Sequence, residues 1–319
     1  MRKDGRVYVA GHRGLVGSAI VRALSSRGYS NLLLRTHAEL DLTDQSAVAD
    51  FFRNEAPDYV FLAAAKVGGI LANSTYPADF IYRNLAIQSN VIHQAYLTGV
   101  AKLMFLGSSC IYPRDCPQPM QERHLLTGSL EPTNAAYAIA KIAGIKMCAA
   151  YNKQYGTRFV SVMPTNLYGP GDNYDLQGSH VIPALISKIH TAKTEGRDEA
   201  VIWGTGQPRR EFLYSDDLAD ACVFLMENVA PEQIGEFVNI GVGEDISIGD
   251  LARLIASVVG FGGKLQFDTS KPDGTPRKLL DVTRLSEIGW RAKTGLAEGL
   301  AMAYADYLAH YAWVPQSRS

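Results

Sequence analysis

Between an apolar run, VYVA, and a stretch with helical spacing, AIVRAL, the chain carries three evenly spaced glycines: Gly11, Gly14 and Gly17 in VYVAGHRGLVGSAIVRAL. A strand that turns straight into a helix aims the helix N-terminus and its unpaired N–H groups into the turn, and glycines there let backbone approach a pyrophosphate closely. Such a triplet can also build a purely structural turn. Its place in a strand, turn and helix unit favours dinucleotide binding.

The first half of the chain repeats that unit. RVYVA (6–10), NLLLR (31–35), YVFLAAA (59–65), KLMFLGSS (102–109) and RFVSVMP (158–164) read as short strands separated by intervals long enough for crossover helices. The alternation predicts an α/β fold with a Rossmann-type doubly wound parallel sheet. At MPTNLYGPGDN (163–173) the composition shifts to Pro, Gly and Asn, turn chemistry that marks departure into a smaller C-terminal α/β substrate lobe. There VIWGTG (201–206), FVNIGVG (237–243) and KLQFD (264–268) read as strands, and stretches beginning near Asp216, Ile248 and Leu296 as helices. We expect a dinucleotide-binding domain over 1–165, with some later segments returning to it, and a mainly substrate-binding domain over 166–319.

A chain of 319 residues, 47% hydrophobic, holds enough apolar material for two such lobes. Its formal net charge of −1 supplies no global field for nucleic acid or an anionic membrane. No apolar run approaches the ~20 residues of a membrane span, and MRKDGRVYVAGH enters a strand in place of a signal peptide. Cys110, Cys116, Cys148 and Cys222 lack paired metal-ligand spacings, which predicts reduced thiols, a cytoplasmic setting and no metal.

A dinucleotide fold that selects NAD tends to place an acid at the end of the second strand, where it holds the ribose 2′-hydroxyl. Here that strand ends Arg35-Thr36-His37, the first acid is Glu39, and Arg13 sits inside the glycine loop. Two guanidiniums near the ribose favour a 2′-phosphate, hence NADPH over NADH. Arg35 also reads as an ordinary surface arginine. Asp41 and Leu42 lie where the chain can reach adenine.

EPTNAAYAIAKIAGIKMCAAYNKQYG (131–156) reads as a helix entered through Pro132, Thr133 and Asn134, with Tyr137 and Lys141 on one face. The Lys141 ammonium is expected to favour the phenolate and lower the Tyr137 pKa. A phenol tuned in that way hands a proton to a carbonyl oxygen as hydride arrives at its carbon. A chain with 16 tyrosines produces such spacings by chance, so context decides. The helix follows the strand ending in GSSC, which lets Ser108 or Ser109 face Tyr137 across a nicotinamide. By residue type alone Cys110 reads first as a buried packing thiol, and His180 in GSHVIP equally as a capping histidine or an acid/base group.

In VIWGTGQPRREFLYSDDLAD, Arg210 can grip a diphosphate bidentately and Trp203 can lie against a base or sugar face. The arginine pair reads equally as solvated surface charge. Asn166 either holds substrate or the nicotinamide carboxamide, or makes an Asx-type turn. Asp216 and Asp217, at a helix start, read as N-caps and not as metal ligands.

Taken together, the glycine array, the serine after the fourth strand and Tyr-x-x-x-Lys resemble the nucleotide-sugar members of the extended short-chain dehydrogenase/reductase family. GHRGLVGSAI, AAAKVGGI, NSTYPADFI, LGSSCIYP, EPTNAAYAIAKIAGIK, MPTNLYGP, SHVIPALI and SKPDGTPRKLLDVTRL carry the resemblance over essentially the whole chain. It implies an NADPH-dependent 3,5-epimerase and 4-reductase that converts GDP-4-keto-6-deoxy-D-mannose to GDP-L-fucose, acting as a homodimer paired through the Tyr-containing helix and its neighbour. Tyr137 is then the proton donor, Lys141 its support and a contact of the nicotinamide ribose, and Ser108 a hydrogen-bond partner of the ketone. Cys110 and His180 become the acid/base pair for inversion, in an order the sequence leaves open.

The resemblance also implies cofactor contacts from Gly11, Arg13, Gly14, Leu15, Val16 and Gly17 in the turn, and from Arg35, His37, Asp41 and Leu42 near the ribose and adenine. Leu106, Gly107, Ser108, Lys141, Pro164, Asn166, Leu167 and His180 complete that set. Ser109, Asn166, Lys188, Trp203, Arg210, Asp273 and Lys278 are implied for the substrate. Lys188 and His37 stand where relatives often carry arginine, so at Lys188 a bidentate fork becomes a point charge.

Two rival readings stay open on the residues. Another nucleotide-sugar epimerase or a 4,6-dehydratase would keep NAD tightly bound and return the hydride, consuming no NADPH. A non-catalytic dinucleotide-sensing protein would have no use for an intact Ser108, Tyr137 and Lys141.

Overall fold

Val7, Tyr8, Val9 and Ala10 are all buried, as a central strand of a parallel sheet covered on both faces requires. A computed structural model describes residues 1–175, 179–271 and 273–312. In the first half, β1 (Val7–Ala10), α1 (Leu15–Ser26), β2 (Leu32–Leu33), α2 (Gln45–Glu55), β3 (Tyr59–Leu62), α3 (Ile70–Thr75), α4 (Pro77–Leu97), β4 (Lys102–Leu106), α5 (Ala135–Tyr155) and β5 (Phe159–Pro164) alternate. The second half runs β6 (Asn166–Tyr168), α6 (Val181–Thr194), β7 (Glu199–Trp203), β8 (Arg209–Arg210), β9 (Phe212–Tyr214), α7 (Ser215–Asn228), α8 (Pro231–Ile234) and β10 (Val238–Ile240). It closes with β11 (Ile246–Ser247), α9 (Ile248–Val259), β12 (Lys264–Asp268), β13 (Arg277–Lys278), α10 (Thr283–Ile288) and α11 (Leu296–His310).

The architecture is the expected α/β one. A six-stranded sheet has the order β10-β5-β4-β3-β1-β2, with every neighbouring pair parallel. Winding reverses between β1 and β3, so the crevice for a ligand opens beyond the carboxyl ends of those strands. Side chains alternate between two cores, as strand geometry dictates. Val7, Val9, Phe61 and Met104 pack on the face covered by α1 and α7, while Tyr8, Val60, Leu62 and Phe105 pack on the face covered by α2, α4 and α5. A third core, with Ile186, Ile202, Phe212, Leu251 and Ile255, lies under the second-half strands. Each such buried side chain contributes about 1.5–3 kcal/mol.

Several strands end sooner than their apolar runs. The runs at 59–65, 102–109, 201–206 and 237–243 leave the ladder at Leu62, Leu106, Trp203 and Ile240. Beyond Leu62, Leu106 and Ile240 the chain turns into loops at the carboxyl ends of the large sheet, where the crevice opens. β2 shrinks from the expected 31–35 to two residues because it is an edge strand with β1 as its one neighbour.

The N-cap reading of Asp216 and Asp217 is corrected by tertiary contacts. Tyr214 occupies the cap of α7 and offers no side-chain acceptor, and both aspartates fall in the first turn. Asp217 accepts from the N–H groups of Lys293 and Thr294, at 3.0 and 2.7 Å, and Asp216 pairs with Arg22 on α1.

In the smaller sheets β8 lies between antiparallel β11 and parallel β13, while β7 pairs with β12 and β6 with β9. β10 is late in the chain yet joins the large sheet beside β5, so the loop after it meets the loops that lead into the second half.

Candidate active site

β4 ends at Leu106 and the chain opens into Gly107-Ser108-Ser109-Cys110, the last two within a short 3-10 turn. α5, entered as expected through Pro132, Thr133 and Asn134, sets Tyr137 in its first turn and Lys141 one turn later. Gly144 makes this approach possible: a Cβ there would lie 2.3 Å from the Phe105 ring, so α5 rests almost directly on β4. Ser108 consequently lies near both the Tyr137 phenol and the Cys110 thiol, close enough to favour the ionised form of each. Ser109 is buried beneath it.

Burial raises the Tyr137 pKa well above its usual value, with Cys110 adding to the effect and Ser108 opposing it. This corrects the expectation that Lys141 lowers it. The Lys141 Nζ lies 5.8 Å from the centre of the phenol ring and donates to the Leu106 carbonyl at 2.8 Å. Lys141 is itself pushed down to about 8 by loss of water. Removing the phenol from water costs more than a neighbouring cation of that weakened basicity returns. Burial also raises the Cys110 thiol, opposed by Ser108 and by the charges of Lys278 and Lys141.

His180 caps the N-terminus of α6, and its carbonyl accepts from Ala184. Close surroundings draw its pKa below the usual histidine value. Among the described residues no hydrogen bond links it to Ser108, Cys110 or Tyr137, whereas Ser108, Cys110, Tyr137 and Lys141 come together.

On the cofactor side, Gly11 has φ +83°, and a Cβ there would lie 2.8 Å from the Ala64 nitrogen, so the glycine turn abuts the end of β3. A Cβ on Gly17 would lie 2.0 Å from the Gly11 carbonyl oxygen, which seats α1 on the turn. Gly14 caps α1 with no side-chain acceptor of its own, and Leu15 and Val16 follow half-buried. These features fit a pyrophosphate held by backbone N–H groups. Arg13 is exposed beside them.

Arg35 is already engaged, ion-paired with Glu55 and donating to the Leu34 carbonyl. His37 is exposed 3.8 Å from Asp41, whose carboxylate accepts from Thr43 and is held below its usual pKa by those bonds. Leu42 is buried and its carbonyl accepts from Asn90. Gly107 bonds back to Val162, Pro164 pairs with Ile240, and Leu167 pairs with Leu213.

Across the cleft, Arg210 and Lys278 are register partners on β8 and β13, and Lys278 faces Cys110 electrostatically. Burial lowers the pKa of both cations. Lys188, two turns along α6 from His180, places its Nζ 4.1 Å from the centre of Trp203, which is 60% exposed. Asp273 spends both carboxylate oxygens on Thr205. Asn166 makes no Asx turn: it lies in β6 and donates to the Glu211 carbonyl at 2.8 Å.

Sequence reasoning missed three neighbours of this site. Phe80 meets Tyr137 edge-on, with centroids 6.2 Å apart, and Lys271 sits over Trp203. Glu211 is completely buried beneath Arg210. Its signal was an acid set between a charged pair and the apolar run FLY. Cys116, Cys148 and Cys222 are free and buried, as packing residues are.

Residues 7–241 match the model of the NAD dependent epimerase/dehydratase family. The chain is 60% identical over 306 residues to GDP-L-fucose synthase 1 of Arabidopsis thaliana, an overlap spanning 96% of this chain and 94% of that protein. It is 56% identical to the GDP-L-fucose synthase of Escherichia coli (strain K12), over 95% of this chain and 96% of that one. Among solved structures it resembles MlghC, a GDP-mannoheptose C4 reductase from Campylobacter jejuni with NADP bound, at 42% identity and TM-score 0.90, covering 97% of this chain and 99% of that chain.

Proposed function

The chain belongs to the NAD dependent epimerase/dehydratase family, and on that premise we propose an NADPH-dependent bifunctional enzyme that epimerises GDP-4-keto-6-deoxy-D-mannose at C3 and C5 and then reduces C4, giving GDP-L-fucose. The observation that carries this reading is that Ser108, Cys110, Tyr137 and Lys141 come together at the carboxyl end of β4, with Ser108 opposing the burial-driven rise of both the phenol and the thiol. One hydroxyl stands beside a group suited to a ketone oxygen and a group suited to carbon-bound protons.

C3 and C5 flank the C4 carbonyl, so hydrogen bonds from Ser108 and Tyr137 to that oxygen acidify both carbons through the same developing enolate. Inversion needs one group to take a proton from one face and a second to return one to the other. Cys110 and His180 have the chemistry for that exchange. A phenol held neutral by burial keeps its proton until the C4 oxygen becomes basic, which suits Tyr137 as the donor in reduction. NADPH, when bound, supplies the hydride. Gly11, Gly14 and Gly17 hold its pyrophosphate, Lys141 contacts the nicotinamide ribose, and Arg13 favours the 2′-phosphate. Arg210 and Lys278 hold the substrate diphosphate, and Trp203 with Lys188 covers its nucleotide or sugar face.

The test is incubation with the GDP-linked keto sugar and NADPH in deuterated water, with the product read by NMR. We expect stoichiometric NADPH oxidation, GDP-L-fucose, and deuterium at C3 and C5. Product formed without NADPH consumption would instead identify an epimerase or dehydratase that returns its hydride. Cys110→Ser and His180→Gln should each abolish deuterium incorporation, and retention in both would remove them from the acid/base role.

We further propose a homodimer, supported by the exposed apolar residues Tyr82 and Leu97 on α4 and Ile139 and Tyr155 on α5. A cytoplasmic setting is supported by the four free cysteines. No described helix is long and apolar enough to cross a membrane.

A further inference from the structure

Arg210 and Lys278 sit on strands two residues long, too short to hold a register by their own ladder bonds. Glu211 ties this region together. It is 0% exposed. Its Oε1 accepts from the N–H groups of Val242 at 2.6 Å and Gly243 at 2.7 Å, and its Oε2 from that of Leu280 at 3.0 Å. Its own N–H donates to the Lys278 carbonyl, and its carbonyl accepts from Asn166 Nδ2 at 2.8 Å and Thr165 Oγ1 at 3.3 Å.

One residue thus fastens the exit from β5 into β6, the β8–β9 junction, the loop after β10 and the end of β13. β5 and β10 belong to the large sheet that carries the catalytic cradle, whereas β8 and β13 carry the diphosphate grip. Successive side chains in extended chain point to opposite sides, so burying Glu211 turns Arg210 to the side opposite the carboxylate. Gly241 gives independent support: a Cβ there would lie 2.3 Å from Glu211 Oε1, so the backbone is shaped around this carboxylate.

The geometry points to Glu211 as a positioning residue that sets Arg210 and Lys278 at a fixed distance from Ser108, Cys110 and Tyr137 without itself touching substrate. This rests on the function proposed above. Charge-assisted bonds from backbone N–H groups are strong, and replacing an acceptor by a donor leaves buried groups unmatched.

The test compares the full chain with Glu211→Gln, which turns one oxygen into an NH₂ facing N–H donors, and with Gly241→Ala, which pushes on the carboxylate while keeping its charge. Calorimetric titration with GDP and, separately, with NADP⁺ reads the two halves of the cleft. Both variants should bind GDP at least about tenfold more weakly, one such step being about 1.4 kcal/mol, with NADP⁺ affinity within about twofold of wild type. KM for the GDP-linked keto sugar should rise more than kcat falls, a split that simple loss of folded protein does not produce. Unchanged GDP affinity, or parallel loss of NADP⁺ and GDP binding, overturns the inference while leaving the function intact. Should Glu211→Gln fail to fold, Gly241→Ala decides by the same two criteria. A wild-type chain that binds no GDP overturns the proposed function and this inference with it.

Discussion

The Tyr137 phenol and the Lys141 ammonium both lose hydration, and both are pushed toward their neutral forms. A neutral phenol is a proton donor in waiting. Tyr137→Phe should therefore lower the rate of C4 reduction by about 10²–10⁴-fold, the usual range for losing a general acid, while deuterium exchange at C3 and C5 persists through Ser108. Exchange lost together with reduction would show that the phenol is needed for enolisation as well. Lys141 carries a cost to stability. Its folded pKa of about 8 lies below the unfolded value of 10.5, so stability present above pH 10.5 is lost as pH falls toward 8 and does not return below it. The shift is worth about 3 kcal/mol, against about 1 for the hydrogen bond to Leu106. Lys141→Met should accordingly be inactive yet more stable by roughly 2 kcal/mol at pH 7, an advantage that shrinks toward pH 10. Urea unfolding at the two pH values checks it, and a Lys141→Met chain weaker than wild type at pH 7 would contradict the sign.

At the scale of elements, the proposed mechanism depends on how closely α5 approaches β4, because one carries Tyr137 and Lys141 and the other leads into Ser108 and Cys110. Gly144 sets that separation by having no Cβ to meet Phe105. Gly144→Ala should cost about 1–3 kcal/mol of stability through overpacking. By moving the phenol off Ser108 it should also lower kcat more than it raises KM for the nucleotide sugar. Steady-state kinetics beside a urea melt separates the two effects, and full kcat in a destabilised variant would show that the cradle tolerates the shift. Lys102 plays an analogous structural part at the far end of β4, donating to the carbonyls of Leu225, Met226 and Val229 at the C-terminus of α7. It thus secures the helix that packs against α1.

Over the whole molecule, the large sheet and the strands proposed to hold the substrate are joined by Glu211 and by β10, so cofactor and substrate in the proposed sites would bear on one connected body. NADPH at 100 times its dissociation constant should add about 2.7 kcal/mol to unfolding stability. Gly17→Ala, whose Cβ would meet the Gly11 carbonyl, should remove most of that increment. A ligand increment equal in the variant and the wild type would argue against the glycine turn as the cofactor seat. Sedimentation should give a species of twice the 34.8 kDa chain mass if the exposed faces of α4 and α5 pair, and a Tyr82→Asp, Leu97→Asp variant should run as the monomer.

The strand and helix alternation, the glycine array and the Tyr137–Lys141 spacing were all legible in the sequence, because each depends on residues within a turn or a strand of one another. What came from the fold joins residues far apart along the chain. Glu211 meets Leu280 across 69 positions and Thr165 across 46, Asp217 leaves its own helix cap for Lys293 and Thr294, and Arg35 turns to Glu55. The direction of the Tyr137 shift belongs with these, since it is governed by how much water the packed site excludes. Local periodicity reports which side chains share a face. Burial and long-range hydrogen bonding decide what those side chains are able to do, and both exist only once distant segments have been brought together.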